Sequence, residues 1–133
     1  MKKYEYLEHP ADLKICAYGK TLPELFINAA LAMTNFLYEI KETQIAKTET
    51  VQVKADNLED LLINWLAEIL YLSDTNYLAC VDFKIKTFDE KKIIAEVGMT
   101  SAEAKDDIKA VTYSELKVKK IDDGWEAVFV CDT

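Results

Sequence analysis

Hydrophobic and polar positions change period several times along the chain, and two segments keep the period of a helix. In the first, Leu22, Leu25, Phe26, Ala29, Met33, Phe36 and Leu37 recur at helical spacing, which makes one amphipathic face directed at a sheet. Thr21 stands before it and Glu24 follows three residues on, a pair that can satisfy free N–H groups of a first turn. In the second, Leu58, Leu61, Leu62, Trp65, Leu66, Ile69 and Leu72 follow Asn57. Asn57 suits an N-cap, Asp60 places a carboxylate where the helix dipole favours one, and the pattern predicts a longer helix ending near Ser73 and Asp74.

Elsewhere the period is two. Tyr4–Leu7 predicts a short strand that Pro10 cannot continue, since proline has no N–H for a ladder. Leu13–Gly19 predicts a second, with Leu13, Ile15 and Ala17 on one face and Lys14, Cys16 and Tyr18 on the other. Residues 50–55 follow with Val51 and Val53 inward. Residues 78–88 and 92–99 flank a turn at Asp89, Glu90 and Lys91; residues 113–121 and 125–131 flank another at Asp122, Asp123 and Gly124. The polar stretches 39–49 and 100–107 carry no period and predict a connection and an exposed loop. Two long helices among six or seven strands, without βαβ alternation, predict an α+β fold: a two-layer sandwich in which a largely antiparallel sheet packs against the helices. With 133 residues, no repeat and no linker, residues 1–133 are expected to form a single domain.

Charge narrows the partners. Sixteen basic residues, all lysine, stand against 24 acidic ones for a formal net charge of −8. That balance disfavours direct high-affinity binding of nucleic acid, which depends on neutralising phosphates, and favours a cation or a basic partner. Cys16, Cys80 and Cys131 are spread out without a CxxC pair and read as small hydrophobes in a reducing compartment, with a reactive thiol or zinc ligand as the alternative. No stretch reads as a signal peptide or a bilayer span, so a cytosolic protein without membrane attachment is expected.

Candidate chemistry is sparse. His9 is the only histidine, Gly19, Gly98 and Gly124 stand alone rather than in a phosphate loop, and no GxSxG elbow is present. What remains is oxygen. Asp12 stands at a strand entrance and Asp132 at the exit of the apolar run Phe129, Val130, Cys131. With the α-carboxylate of Thr133 they can supply hard ligands for Ca²⁺ or Mg²⁺; alternatively Asp12 caps a turn and Asp132 only solubilises an end. His9 can be a loop hydrogen-bonder or a ligand. Lys109, before Ala110 and Val111, has nothing in its spacing to single it out.

Four collinear pieces resemble a known family. His9-Pro10-Ala11-Asp12 before a strand, Gly19-Lys20-Thr21-Leu22-Pro23-Glu24-Leu25-Phe26 opening a helix, Leu61-Leu62-Ile63-Asn64-Trp65-Leu66, and Ile108-Lys109-Ala110-Val111-Thr112-Tyr113 together resemble archease over essentially the whole chain. The resemblance implies a protein cofactor that is not itself an enzyme. It would assist an RtcB-type RNA ligase in tRNA splicing and repair, promoting ligase guanylylation and multiple turnover. It implies metal-binding at Asp12 and Asp132 with Thr133 alongside, most simply of Ca²⁺ with Mg²⁺ as the other choice, and a functional role for Lys109, with His9 in the same motif as Asp12. Pro10 stands where that family usually has threonine, and Ser114 where a histidine commonly follows the Thr-Tyr pair. Two other classes use the same residues: a metal-independent interaction or assembly module, and a small metal-dependent hydrolase with His9 as base.

Overall fold

The computed structural model describes residues 1–10 and 12–133. In chain order its elements are β1 (Tyr4–Leu7), β2 (Leu13–Gly19), α1 (Leu22–Leu37), β3 (Tyr38–Glu39), β4 (Lys47–Lys54), α2 (Leu58–Asn76), β5 (Ala79–Asp89), β6 (Lys92–Thr100), β7 (Glu103–Ala104), β8 (Ala110–Ile121) and β9 (Gly124–Asp132). The fold is α+β, and every strand pairing is antiparallel. The strands divide into a four-stranded sheet ordered β1-β2-β9-β8, a three-stranded sheet ordered β4-β6-β5, and a two-stranded ribbon of β3 and β7.

Both helices begin where their caps direct. The Thr21 hydroxyl accepts from the Glu24 N–H at 3.3 Å, and the Asn57 side-chain oxygen accepts from the Asp60 N–H at 2.9 Å, each satisfying a donor that the first turn leaves free. α2 runs past Ser73 to Asn76 and stops at Tyr77, whose left-handed backbone (φ 56°) closes the helix. The ribbon lies in two segments that show no period, because a two-residue pairing leaves no alternation to detect. Strand β4 starts at Lys47, earlier than alternation alone suggests, its first residues being exposed on both faces.

The helices join the two sheets around one core. α1 lies on β2 and also meets β5 and β9, while α2 lies against β8 and β4. Trp65, fully buried, donates its indole N–H to the Phe26 carbonyl at 2.9 Å and sets its ring edge-on to Phe83, so α2, α1 and β5 meet at one side chain. The Thr34 hydroxyl donates to the Cys80 carbonyl at 2.9 Å and ties α1 to β5 a second time. Among the described residues no helix is long and apolar enough to cross a membrane.

One corner of the four-stranded sheet sets its register. Gly19 faces Trp125, and Gly124 sits at the start of β9 with φ +152°. A Cβ on Gly124 would overlap the Gly19 carbonyl oxygen, so only glycine lets the β8–β9 turn close onto the end of β2. Gly124→Ala is expected to lower stability by about 1–3 kcal/mol, read as a shift of the urea unfolding midpoint at unchanged slope.

Candidate functional site

The ladder that begins at Gly19 ends at the candidate residues. Across β2 and β9, Leu13 faces Cys131 and Ile15 faces Phe129. Ile15, Phe129 and Cys131 are fully buried under the helices, so the alternate positions turn to the other side of the sheet. The paired register of β2 and β9 ends at Leu13 and Cys131, so Asp12 and Asp132 each lie one residue beyond the last pair, and alternation along β9 turns the Asp132 side chain to that outer side. On the other flank of β9, Ala110 faces Asp132, and the Lys109 N–H donates to the Asp132 carbonyl at 2.7 Å. Ile108, buried in the core, anchors the chain just before the exposed Lys109. Four of the five residues singled out in the sequence, Asp12, Lys109, Asp132 and Thr133, thus lie at or next to the ends of the three neighbouring strands β2, β9 and β8.

Two carboxylates brought close at neighbouring strand ends repel. A hard divalent cation fits such a pair, since calcium takes carboxylate, carbonyl and water oxygens and magnesium is often held by one or two carboxylates with water completing the shell. Among the described residues, no three His, Cys, Asp or Glu side chains gather as a metal site. Any further protein oxygen must come from elsewhere, and Thr133 next to Asp132 is the candidate.

His9 makes a different contact. Its Nε2 lies 3.0 Å from Glu115 Oε2, and Lys14 Nζ donates to Glu115 Oε1 at 2.9 Å. A carboxylate only accepts, so Nε2 is the donor; Nδ1 is buried without a hydrogen-bond partner. Lys14 first and His9 second hold the Glu115 carboxyl below its usual range. This contribution is present above the ordinary carboxylate range and is lost as the pH falls through the lowered value.

Glu115 was not apparent from the sequence. It lies in a bulge of β8: Thr112 faces Val130 and Lys117 faces Val128, so Tyr113, Ser114, Glu115 and Leu116 stand against Phe129 alone. Glu115 itself is left-handed, φ 56°. The segment holds no glycine, proline or asparagine to mark such an insertion, and glutamate is not a residue whose presence suggests positive φ. Tyr113, exposed on the same bulge, lines a groove with Asp60 and Asn64 of α2.

The three cysteines are free and buried. Burial pushes the Cys80 thiol up to about 11 and the Cys131 thiol up to about 12, and raises Cys16 as well. They pack as small hydrophobes, in line with the reading of their spacing.

An acidic sheet corner backed by two helices places the molecule among small α+β proteins of mixed sheet-and-helix layers, and the comparisons with known proteins define it further. The family model described as "Archease protein family (MTH1598/TM1083)" matches residues 4–133. The "Protein archease" of Methanosarcina barkeri is 39% identical over 98% of this chain and 96% of its own length. That of Thermococcus kodakarensis is 35% identical over 99% of both. The solution structure of Methanobacterium thermoautotrophicum protein 1598 superposes with a TM-score of 0.81 at 28% identity, covering both chains in full. The crystal structure of a Thermotoga maritima archease, described as a possible chaperone, shares the fold with a TM-score of 0.67 at 20% identity over 96% of this chain and 94% of that one. This chain belongs to the archease family.

Thiol reagents are expected to leave all three cysteines unmodified in the native protein at pH 7 to 8 and to label them on unfolding. Mass spectrometry after a timed exposure with and without urea checks this.

Proposed function

We propose that this chain is an accessory protein of an RtcB-type RNA ligase that promotes guanylylation of the ligase and sustains its multiple turnover in tRNA splicing and RNA repair, with no turnover of its own. Membership of the archease family supports the reading. The observation that supports it is the strand order β2-β9-β8, which brings the chain positions of Asp12, Asp132 and Lys109 to neighbouring strand ends.

In this reading Asp12 and Asp132, with Thr133, hold a divalent cation, Ca²⁺ in preference to Mg²⁺. The bound ion supplies positive charge that offsets carboxylate repulsion and can attract a phosphate oxygen. The chain's own residues do the presenting. Asp132 ends β9 and Asp12 directly precedes β2, and buried Cys131 and Ile108 fix the backbone beside Asp132 and Lys109. Lys109 adds an exposed ammonium whose backbone is tied to Asp132, placed to meet an anionic group on the ligase or its nucleotide. The net charge of −8 favours engagement of the ligase over direct capture of RNA.

A metal-independent interaction module is the second reading, favoured by the lack, among the described residues, of three side chains grouped as a metal site. The description of the Thermotoga maritima relative as a possible chaperone is compatible with it.

Two measurements test the proposal. With the ligase of the same organism limiting over RNA ends, the wild-type chain is expected to carry joining beyond one turnover, and Asp132→Ala and Lys109→Ala to fail. Joining that stops at one turnover with folded wild-type chain contradicts it. The second measurement is thermal unfolding of Asp132→Asn. Without metal, removing one of two neighbouring charges is expected to raise stability by about 0.2–1 kcal/mol. With Ca²⁺ at roughly a hundred times its dissociation constant, the wild type is expected to gain about 2.7 kcal/mol and the variant nothing.

A further inference from the structure

The 8–12 loop that carries Asp12 joins β1 to β2, and its two limbs are held by one side chain from a distant strand. His9 lies on the incoming limb and Lys14 just beyond the outgoing one; both bind the Glu115 carboxylate, at 3.0 and 2.9 Å, each using a different oxygen. Glu115 belongs to β8, and in the order β1-β2-β9-β8 its side chain must reach past β9 to touch them. The β8 bulge makes that reach possible. Val130, which alternation turns to the same side as Lys14 and Thr112, is 1% exposed, as expected of a residue that this bridge crosses. The left-handed backbone of Glu115 is an uncommon state for a residue with a long side chain. It persists where surrounding contacts demand it, and here the contact is the bidentate grip on the loop.

Resting on the reading given under Proposed function, we propose that Glu115 is a positioning residue: by gripping His9 and Lys14 together it holds the loop against the sheet and keeps Asp12 next to the strand end that carries Asp132. The same bulge follows directly on the strand start at Lys109 and Ala110, so loop, terminal strand and functional lysine are tied into one unit. His9 then serves as the handle by which the loop is held, its Nε2–H donated to Glu115 and its Nδ1 left without a partner. This gives the histidine a structural task within the site, without contact to the ion.

Glu115→Gly is the informative substitution. Glycine adopts φ 56° freely, so the fold is kept or stabilised while the carboxylate is lost; the urea midpoint is expected to stay or rise. Amide hydrogen exchange at Glu8, His9 and Asp12 is expected to quicken on the order of tenfold, with the β8–β9 ladder on the far side of the bulge unchanged. The lone imidazole reports separately. Its ring ¹⁵N signals are expected to differ between the wild type and the variant, as the Nε2 hydrogen bond to Glu115 is lost. Calcium affinity by calorimetry is expected to fall on the order of tenfold, the lower range for loss of a residue that orients a ligand. Unchanged exchange and nitrogen signals overturn the proposal, as does a loosened loop with undiminished calcium affinity. A wild type that takes up no calcium strikes the metal reading instead, and loop exchange and the nitrogen signature still decide whether Glu115 holds the loop.

Discussion

Leu13 faces Cys131 across the β2–β9 ladder, and the candidate site depends on that pairing. Because side chains in a strand alternate, a slip of β9 by one residue would send Phe129 and Cys131 outward and turn Asp132 toward the helices. Burial of these apolar residues therefore fixes where the Asp132 carboxylate points. The close approach of Gly19 and Gly124 pins the ladder at its opposite end. Hydrophobic burial and a turn that tolerates only glycine together specify the position of two charges far apart in the chain.

Charge at this corner is arranged against local stability. Asp12, just before β2, and Asp132, at the end of β9, lie at neighbouring strand ends of an already acidic chain, where like charges brought close are unfavourable. The sheet sustains the arrangement because it is embedded in a large core to which α1 and α2 both contribute. Concentrated negative charge on rigid elements costs little reorganisation when a cation or a cationic partner arrives, which is how a presenting site gains from a stiff scaffold. Lys109 is held to the same frame by its backbone rather than by its side chain, so the ammonium stays free for a partner.

Much of this could be read from the residues before the fold was seen. Helical spacing and the caps at Thr21 and Asn57 placed both helices, since their signals are local. The hairpins at Asp89–Lys91 and Asp122–Gly124 were equally local. Strand order was not: nothing in alternation says that β9 inserts between β2 and β8, and taking Asp12 and Asp132 as one site rests on their places at strand ends and on the family resemblance. The ribbon of β3 and β7 was too short to leave a period. The bulge at Tyr113–Leu116 was hidden for another reason. It carries no glycine, proline or asparagine to mark it, and it is accompanied by contacts from Glu115 to His9 and Lys14 that no local pattern encodes.

Residue-resolved NMR titration of the wild-type chain with Ca²⁺ decides whether these three strand ends form one cation-presenting corner. Saturable amide shifts are expected at Asp12, Leu13, Lys109, Ala110, Asp132 and Thr133. Shifts centred on another acidic surface, such as Asp56, Asp60 and Asp89, or no saturable shift at any residue, would contradict it.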